Sequence, residues 1–510
     1  MKQYLLGIDI GTSACKAAVF DEKGRVLASK SEAYAVYYPR HGWAEQNPEE
    51  WWAAVCKAVK SIFEESPVKA SDIAGVGIDG QSWSAIPVDK NGRVLCNTPI
   101  WFDTRAGDIC NKLKQSDFAS RVFDVCGNPL EPSYTLPKIL WYQKHAPDVY
   151  RDAYKILQSN SYIGYKLTDK MAQDVSQGYG LHCFDMYKGQ WDYGLCREFG
   201  IREDLLPPIY KCHEIIGGVT EKASLETGLL QGTPVTAGGL DAACGTLGAG
   251  VILPGQTQEQ GGQAGGMSIC IGEYKTDKRL ICSYHVVPDL WLLQGGTVGG
   301  GGIMAWMERE LGGEERLLAQ ESGANSFQLM DKKASEIPAG SDGVIFLPYM
   351  AGERSPLWDP TAKGLFFGLD FKKSKGHMIR AALEGAAYSL LHNLEAAKES
   401  GAEADVLHAM GGAANSRLWT QIKADVTGKR IRVPSTDTAT TLGAAILAGV
   451  GTGFYKSFEE AVGKTVTVTR EHEPDMKNHE IYQQYYPIYL ELYENLRNTM
   501  KKSDSIARRN

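Results

Sequence analysis

What most restricts this chain is a recurring pattern: an apolar strand that ends in glycines and hands over to a turn or a helix. It appears first at residues 5–16, LLGIDIGTSACK, where an apolar run ends on Asp9, a Gly11-Thr12-Ser13 turn follows, and a second alternating run starts at Cys15. That spacing predicts a β-hairpin with a carboxylate at its mouth. Gly11 can take a positive φ, which would let backbone N–H groups and two hydroxyls converge on a phosphate. Asp9 beside the turn is placed to hold a hydrated Mg²⁺ bridging those phosphates. An ordinary hairpin whose Asp satisfies local donors carries the same signature, so the later repeats have to decide.

They recur four times. Residues 233–251, TPVTAGGLDAACGTLGAGV, read as a strand, a Gly238-Gly239 turn and a small-residue helix beginning near Asp241. Asp241 fits a helix N-cap and equally a rigidly held carboxylate exposed to a cleft, and the two roles are compatible. Residues 260–266, QGGQAGG, precede an apolar strand at 267–271. Residues 295–302, GGTVGGGG, lead into a helix at 303–311. A strand at 406–410 ends at Gly411-Gly412-Ala413-Ala414-Asn415-Ser416 with a helix behind it. Two halves built alike, each aiming glycine turns at one gap, are what a bilobal nucleotide-binding protein needs.

Length and charge agree with that organisation. A chain of 510 residues exceeds the roughly 250–300 at which one core stops growing. We expect an N-terminal domain at 1–252, a C-terminal domain at 253–455 and a helical extension at 456–510. The formal charge of -7 and the lack of a basic stripe argue against nucleic acid as a partner. The only basic cluster, Lys501, Lys502, Arg508 and Arg509, sits in the tail and reads as solvated. The 11 cysteines include no C-x-x-C pair, which suits a reducing cytoplasm with each thiol a small core hydrophobe. No signal-peptide pattern and no long apolar run appear, so no membrane is expected.

Between the turns, a third strand is expected at 25–29, a helix at 51–63 and a buried strand at 73–79. That strand exits into Gly80-Gln81-Ser82-Trp83-Ser84, a usual place for a ligand crevice in an open α/β sheet. Residues 99–105 bring Trp101, Asp103 and Arg105 close together. Residues 133–192 read as mostly helical, with helices at 135–141 and 162–167. A helix at 377–400 has small residues along one face, and another at 442–449 ends the second lobe. The tail carries Tyr482, Tyr485, Tyr486, Tyr489 and Tyr493 at helical spacing broken at Pro487, a packing stripe.

With these residues in place, the sequence resembles the FGGY carbohydrate kinases of the actin-like ATPase superfamily, and within them the xylulokinase branch. Residues 364–384, GLFFGLDFKKSKGHMIRAALE, fit the C-terminal signature. LPYMAGERSPLWDP at 347–360 is similar to the PYL-x-GER-x-P segment, and SYTLPKILW at 133–141 fits the N-terminal signature with Lys138 and Trp141 in register. The resemblance implies two RNase H-like α/β domains, mixed sheets flanked by helices, with the active site in the cleft between them. It implies ATP and Mg²⁺ as cofactors, a small sugar as substrate and a homodimer. By the same resemblance Asp9 is the metal-coordinating acid, Asp241 the catalytic base, and Gly11, Thr12, Ser13 and Lys16 border the phosphates. Gly262, Gln263, Gly301, Gly302, Gly411, Gly412 and Asn415 line the nucleotide, while Gln81, Ser82, Trp83, Trp101, Asp103 and Tyr134 face the sugar with Asp241.

Two positions depart from the family. Gln81-Ser82-Trp83 stands where xylulokinases read Gln-Met-His, and Gln263 stands where many relatives have Thr. The implied reaction moves the γ-phosphate of ATP to a hydroxyl of an open-chain ketopentose such as D-xylulose. L-ribulose, L-fuculose, gluconate, erythritol or glycerol are alternative acceptors, and an actin-like ATPase without a sugar is the alternative of another class.

Overall fold

A computed structural model describes residues 3–435 and 438–507; Arg508 and Arg509 lie outside the described residues. The chain forms two seven-stranded sheets. The first holds strands β1 (Tyr4–Ile10), β2 (Ala14–Phe20), β3 (Val26–Ala33), β4 (Ile73–Gly80), β5 (Ile215–Gly218), β6 (Pro234–Thr236) and β7 (Gly239–Leu240), in the order β5-β6-β4-β1-β2-β3 with β7 also on β4. β1 pairs antiparallel with β2 and parallel with β4, so the sheet is mixed. Every residue of β4 is buried, which is why its sequence reads as a continuous apolar and glycine run rather than an alternating one. Helix α1 (Pro48–Glu65) covers one face, capped by the Asn47 side chain and by Pro48 in its first turn. Helix α2 (Asp241–Gly248) leaves β7 directly.

The second sheet repeats the plan with β8 (Gln256–Gly261), β9 (Gly265–Ile271), β10 (Ile281–Tyr284), β11 (Trp291–Thr297), β12 (Val406–Met410), β13 (Arg430–Pro434) and β14 (Val468–His472), ordered β10-β11-β9-β8-β12-β13-β14. Helices α3 (Gly301–Leu311), α4 (Ser326–Ser335), α5 (Lys375–Glu399) and α6 (Arg417–Thr427) pack around one another and around this half. Helix α7 (Ala439–Gly451) and helix α8 (Met476–Ala507) complete the chain.

The described sheets match the expected strands, but four expectations need correction. Helix α7, expected to close the second lobe, packs on β1 and β4 of the first and against α2. Glycine decides this: a Cβ on Gly7 would lie 2.0 Å from the Thr441 carbonyl oxygen, and one on Gly77 would lie 1.8 Å from that of Ala444. Residues 133–192 carry the expected helices, at Thr135–His145, Pro147–Asp152 and Ser159–Thr168, but are less uniformly helical than expected. Short strands at Lys155–Leu157, Gln173–Asp174, Phe184–Asp185 and Gln190–Trp191 and a 3-10 turn at Val175–Leu181 interrupt them. Here side chains rather than periodicity hold the backbone, with Asn160 and Gln177 hydrogen-bonded to each other and Asn160 to Asp174, all three buried.

Gly295 and Gly296 belong to strand β11 and not to the turn. Pro487 does not interrupt the tail, because its ring faces solvent while Tyr482, Tyr486, Tyr489 and Tyr493 bury the opposite face of α8. That packing outweighs the hydrogen bond an interior proline removes.

The close approach of α7 to the first sheet makes a direct prediction. Gly77→Ala has no room for its methyl and should destabilise the protein by at least the ~1–3 kcal/mol typical of overpacking. Gly412→Ala, whose Cβ meets nothing within 4 Å, should shift stability by less than about 0.5 kcal/mol. Urea titration of both variants reads the contrast; equal stability would contradict the backbone contact.

Candidate active site

Three aspartates meet because three strands lie side by side. Asp9 on β1 is in register with Asp79 on β4, and Gly239 on β7 is in register with Asp79 on its other side. β7 can return onto β4 because Gly238 has φ 77 and a Cβ there would sit 2.0 Å from the Ile78 carbonyl oxygen. Asp241, two residues further on, opens α2 as its first residue; the N-cap is Leu240, and Asp241 Oδ1 accepts from the Ala242 amide at 2.7 Å. The cap reading of Asp241 is thereby off by one residue. Most of its carboxylate stays free of protein donors.

Crowding negative charge in a buried place moves all three carboxyls. Burial raises Asp9, opposed by a hydrogen bond with Asp79 and by the charge of Lys16. Asp79 is fully buried, and no N–H or hydroxyl reaches either of its oxygens among the described residues. Burial, then the charge of Asp9 and the hydrogen bond with it, push the Asp79 carboxyl well above the usual carboxylate range. Burial and then the charge of Asp9 raise Asp241 to about 7. Lys16 projects from β2 opposite Asp9, exposed to solvent. Among the described residues no group of three or more His, Cys, Asp or Glu forms a metal cage. A pair of carboxylates with water and phosphate is instead the donor set that suits Mg²⁺, and Asp9 and Asp79 could supply it.

The first turn is held rigid from the sides. Gln46 donates to the Thr12 carbonyl at 2.8 Å and accepts from Gln81 Nε2 at 2.7 Å. Trp101 Nε1 donates to Thr12 Oγ1 at 2.9 Å, and Tyr34 donates its hydroxyl to the Gly11 carbonyl. Gly11 does not have the positive φ expected of it. Its value is clearance: a Cβ there would lie 3.2 Å from the Ala14 carbonyl oxygen and 3.8 Å from Asp9 Oδ1. Ser13 is exposed at the tip.

Beside the strand exit, Trp83 has φ 62, a conformation that bulky residues rarely adopt. Its ring stacks on Tyr134 with centroids 4.2 Å apart, and Tyr179 meets both edge-on. Lys138, fully buried, donates to the carbonyls of Trp83 and Ile100, each at 2.8 Å. Burial lowers that lysine to about 7. Gln81 is buried with Oε1 unpartnered, and Ser82 is half-buried. Asp103 differs from the other residues expected here. It is fully buried, one oxygen accepting from the Ala44 amide at 2.7 Å and both held by Arg105 at 2.9 and 2.8 Å. It braces a wall made by Arg105, Trp43 and Trp141.

In the second lobe a cavity of about 510 Å³ is lined by Gly262, Gln263, Gly301, Gly412 and Asn415. Gly411, with φ 82, turns the chain into this cavity beside the Gly261 carbonyl. The Gly301 and Gly302 amides donate to the Gly262 and Gln263 carbonyls at 2.7 and 2.9 Å, and a Cβ on Gly302 would meet Gln263 Nε2 at 2.4 Å. These two glycines thus seal the hairpin against α3. Sequence reading missed Phe327, Gln328 and Asp331 of α4 and Trp419 of α6, which also line the cavity. It missed Asp79 and Tyr179 as well, although Asp79 ends the same glycine-containing strand pattern that singled out Asp9.

Comparison with known proteins agrees with this geometry. The FGGY family of carbohydrate kinases matches through its N-terminal domain over residues 4–248 and through its C-terminal domain over residues 273–452. The chain is 32% identical to a xylulose kinase of Staphylococcus epidermidis, covering 97% of each protein. It is also 32% identical to a gluconokinase of Bacillus licheniformis, covering 98% of this chain and 97% of the relative. The crystal structure of a ligand-bound xylulose kinase from Lactobacillus acidophilus superposes with a TM-score of 0.90 at 26% identity over 98% of this chain and 99% of that one. Acids gathered at the strand ends of the first sheet, a glycine-walled nucleotide-sized cavity in the second lobe and a match along nearly the whole length lead to one conclusion: the chain belongs to the FGGY family of carbohydrate kinases and is a sugar kinase.

Proposed function

We propose that this kinase transfers the γ-phosphate of ATP to a hydroxyl of D-xylulose, with Asp241 as the general base. The observation that carries the mechanism is the position of Asp241 at the end of β7, half-exposed, next to the Asp9 and Asp79 pair. A carboxylate raised to about 7 is matched to taking a proton from an alcohol near neutral pH. Asp9 and Asp79 would hold Mg²⁺ through water, and the bound ion would neutralise charge on the phosphates. Lys16, Thr12 and the Gly11 turn border the phosphates, and the cavity at Gly262, Gly301, Gly412 and Asn415 takes the nucleoside.

D-xylulose as acceptor is supported by the relatives named xylulose kinase. Gluconate is the second reading, because a gluconokinase is equally similar in sequence. The half-buried Trp83 ring, backed by the fully buried Tyr134, offers a flat apolar wall to the carbon-bound hydrogens of a sugar, so Tyr134 supports that wall rather than facing the sugar itself. We also infer a cytoplasmic homodimer. No helix among the described residues is long and apolar enough to cross a membrane, and exposed Phe367, Leu369 and Phe371 supply apolar surface that a second copy would cover.

Asp241→Asn should keep sugar binding and lose about 10²–10⁴-fold in kcat. In the parent, kcat/KM should rise about tenfold per pH unit below ~7, where Asp241 is still protonated, and level off above it. The Asn variant should lack that limb. Unchanged turnover in the variant, or an identical pH profile, would remove Asp241 from the chemistry. A coupled ADP assay over D-xylulose, L-ribulose, D-gluconate, erythritol and glycerol should give its highest kcat/KM with D-xylulose, and light scattering of the same preparation should read twice the mass of one chain. A preference for gluconate would overturn the substrate, and a single-chain mass the assembly.

A further inference from the structure

Arg354 carries a charge that nothing in the protein neutralises directly. Its neighbour Glu353 is buried and fully occupied: Oε2 accepts from Thr297 Oγ1 at 2.7 Å and Ser389 Oγ at 3.2 Å, and Oε1 accepts from the Val298 and Arg354 amides, each at 2.8 Å. The Arg354 guanidinium reaches only the Thr297 carbonyl, at 3.4 Å, and forms no ion pair among the described residues. Arg354 is half-buried, and an arginine drawn partly out of water usually has a carboxylate or phosphate partner. Burial lowers its pKa and only the Glu353 charge opposes that.

The side chain is also given a purpose-shaped seat. It lies flat on Gly296, where a Cβ would come within 2.9 Å of Cζ, 3.1 Å of Nη2 and 3.2 Å of Nη1. Gly296 is in register with Gly266, and Gly266 with Gln260. The neighbouring row on the same sheet face is Gln294, Ser268 and Gln258, and Gln258 Oε1 accepts from Thr246 of α2 at 2.9 Å. The guanidinium therefore covers the face that carries the helix beginning at Asp241. It does so one row nearer the β8–β9 hairpin, whose Gly262 and Gln263 line the nucleotide cavity. The row thus lies between the one that touches α2 through Gln258 and the hairpin whose tip lines the cavity.

We propose that Arg354 binds the phosphoryl group in transit, pairing with the γ-phosphate oxygens of ATP and then with the phosphate of the product. The proposal rests on the kinase reading above. In the step it serves, the acceptor hydroxyl gives its proton to Asp241 and its oxygen bonds to the γ-phosphorus. The bond from that phosphorus to the β–γ bridging oxygen breaks, and ADP leaves with the electron pair. Charge on the three equatorial oxygens is what a planar guanidinium recognises.

The test compares ADP with the non-hydrolysable β,γ-imido analogue of ATP, by calorimetry in Mg²⁺ without any sugar. Arg354→Gln should bind ADP within about twofold of the parent, bind the analogue at least about tenfold more weakly, and lose about 10²–10³-fold in turnover. Arg354→Lys should recover part of the analogue affinity, and it serves alone if the Gln variant fails to fold. Equal losses for ADP and the analogue, or no loss for either, would overturn the proposal, the first outcome marking Arg354 as a brace for residues 297–300. Failure of the substrate reading looks different: the parent would phosphorylate no sugar while the contrast between ADP and the analogue persisted.

Discussion

Negative charge held at the end of a buried parallel ladder is the constraint around which this protein is arranged. β1, β4 and β7 are adjacent, so Asp9, Asp79 and the residue that leads into Asp241 come to one edge. Like charges there, away from water, oppose folding. The cost shows as carboxyls raised above their usual range, and Lys16, set opposite Asp9, offsets part of it. What remains is an attraction for cations that the fold itself does not satisfy. A divalent ion with its phosphates is the partner proposed for these carboxyls.

Backbone proximity is the second theme, and glycine supplies it. Gly7, Gly77, Gly248 and Gly443 let α2 and α7 lie on the first sheet and on each other at carbonyl distance. The helix carrying Asp241 is therefore positioned by main chain, which moves less than side chains do. In the other lobe Gly301 and Gly302 tie α3 to the β8–β9 hairpin through amide hydrogen bonds. Those amides are spent within the protein, so the cavity beside them owes its shape to that seam rather than to a crown of free donors.

Much of this was legible in the sequence because strands that are buried on both faces and end in glycine leave a local signature. The β1–β2 hairpin, β4, β12 and the start of α2 were all placed from such runs, and Asp9 and Asp241 with them. Features that depend on distant partners were not legible. Asp103 reads like a ligand but is consumed by Arg105 and the Ala44 amide, a contact 59 positions apart in the chain. Phe327 and Asp331 sit on an ordinary amphipathic helix, and only the fold of the second lobe brings them to the cavity. The destination of α7 is illegible for the same reason: small residues announce close packing without naming the surface. At Pro487, where local preference breaks a helix, four buried tyrosines overrule it.

Crystals grown with Mn²⁺ and the β,γ-imido analogue of ATP would address the central claim most directly, through the anomalous signal of the metal. The account predicts a single strong peak beside the Asp9 and Asp79 carboxyls, with the terminal phosphate between that peak and Asp241. A metal and phosphate bound away from those strand ends, or an Asp241 side chain turned from the phosphate in the closed complex, would contradict it.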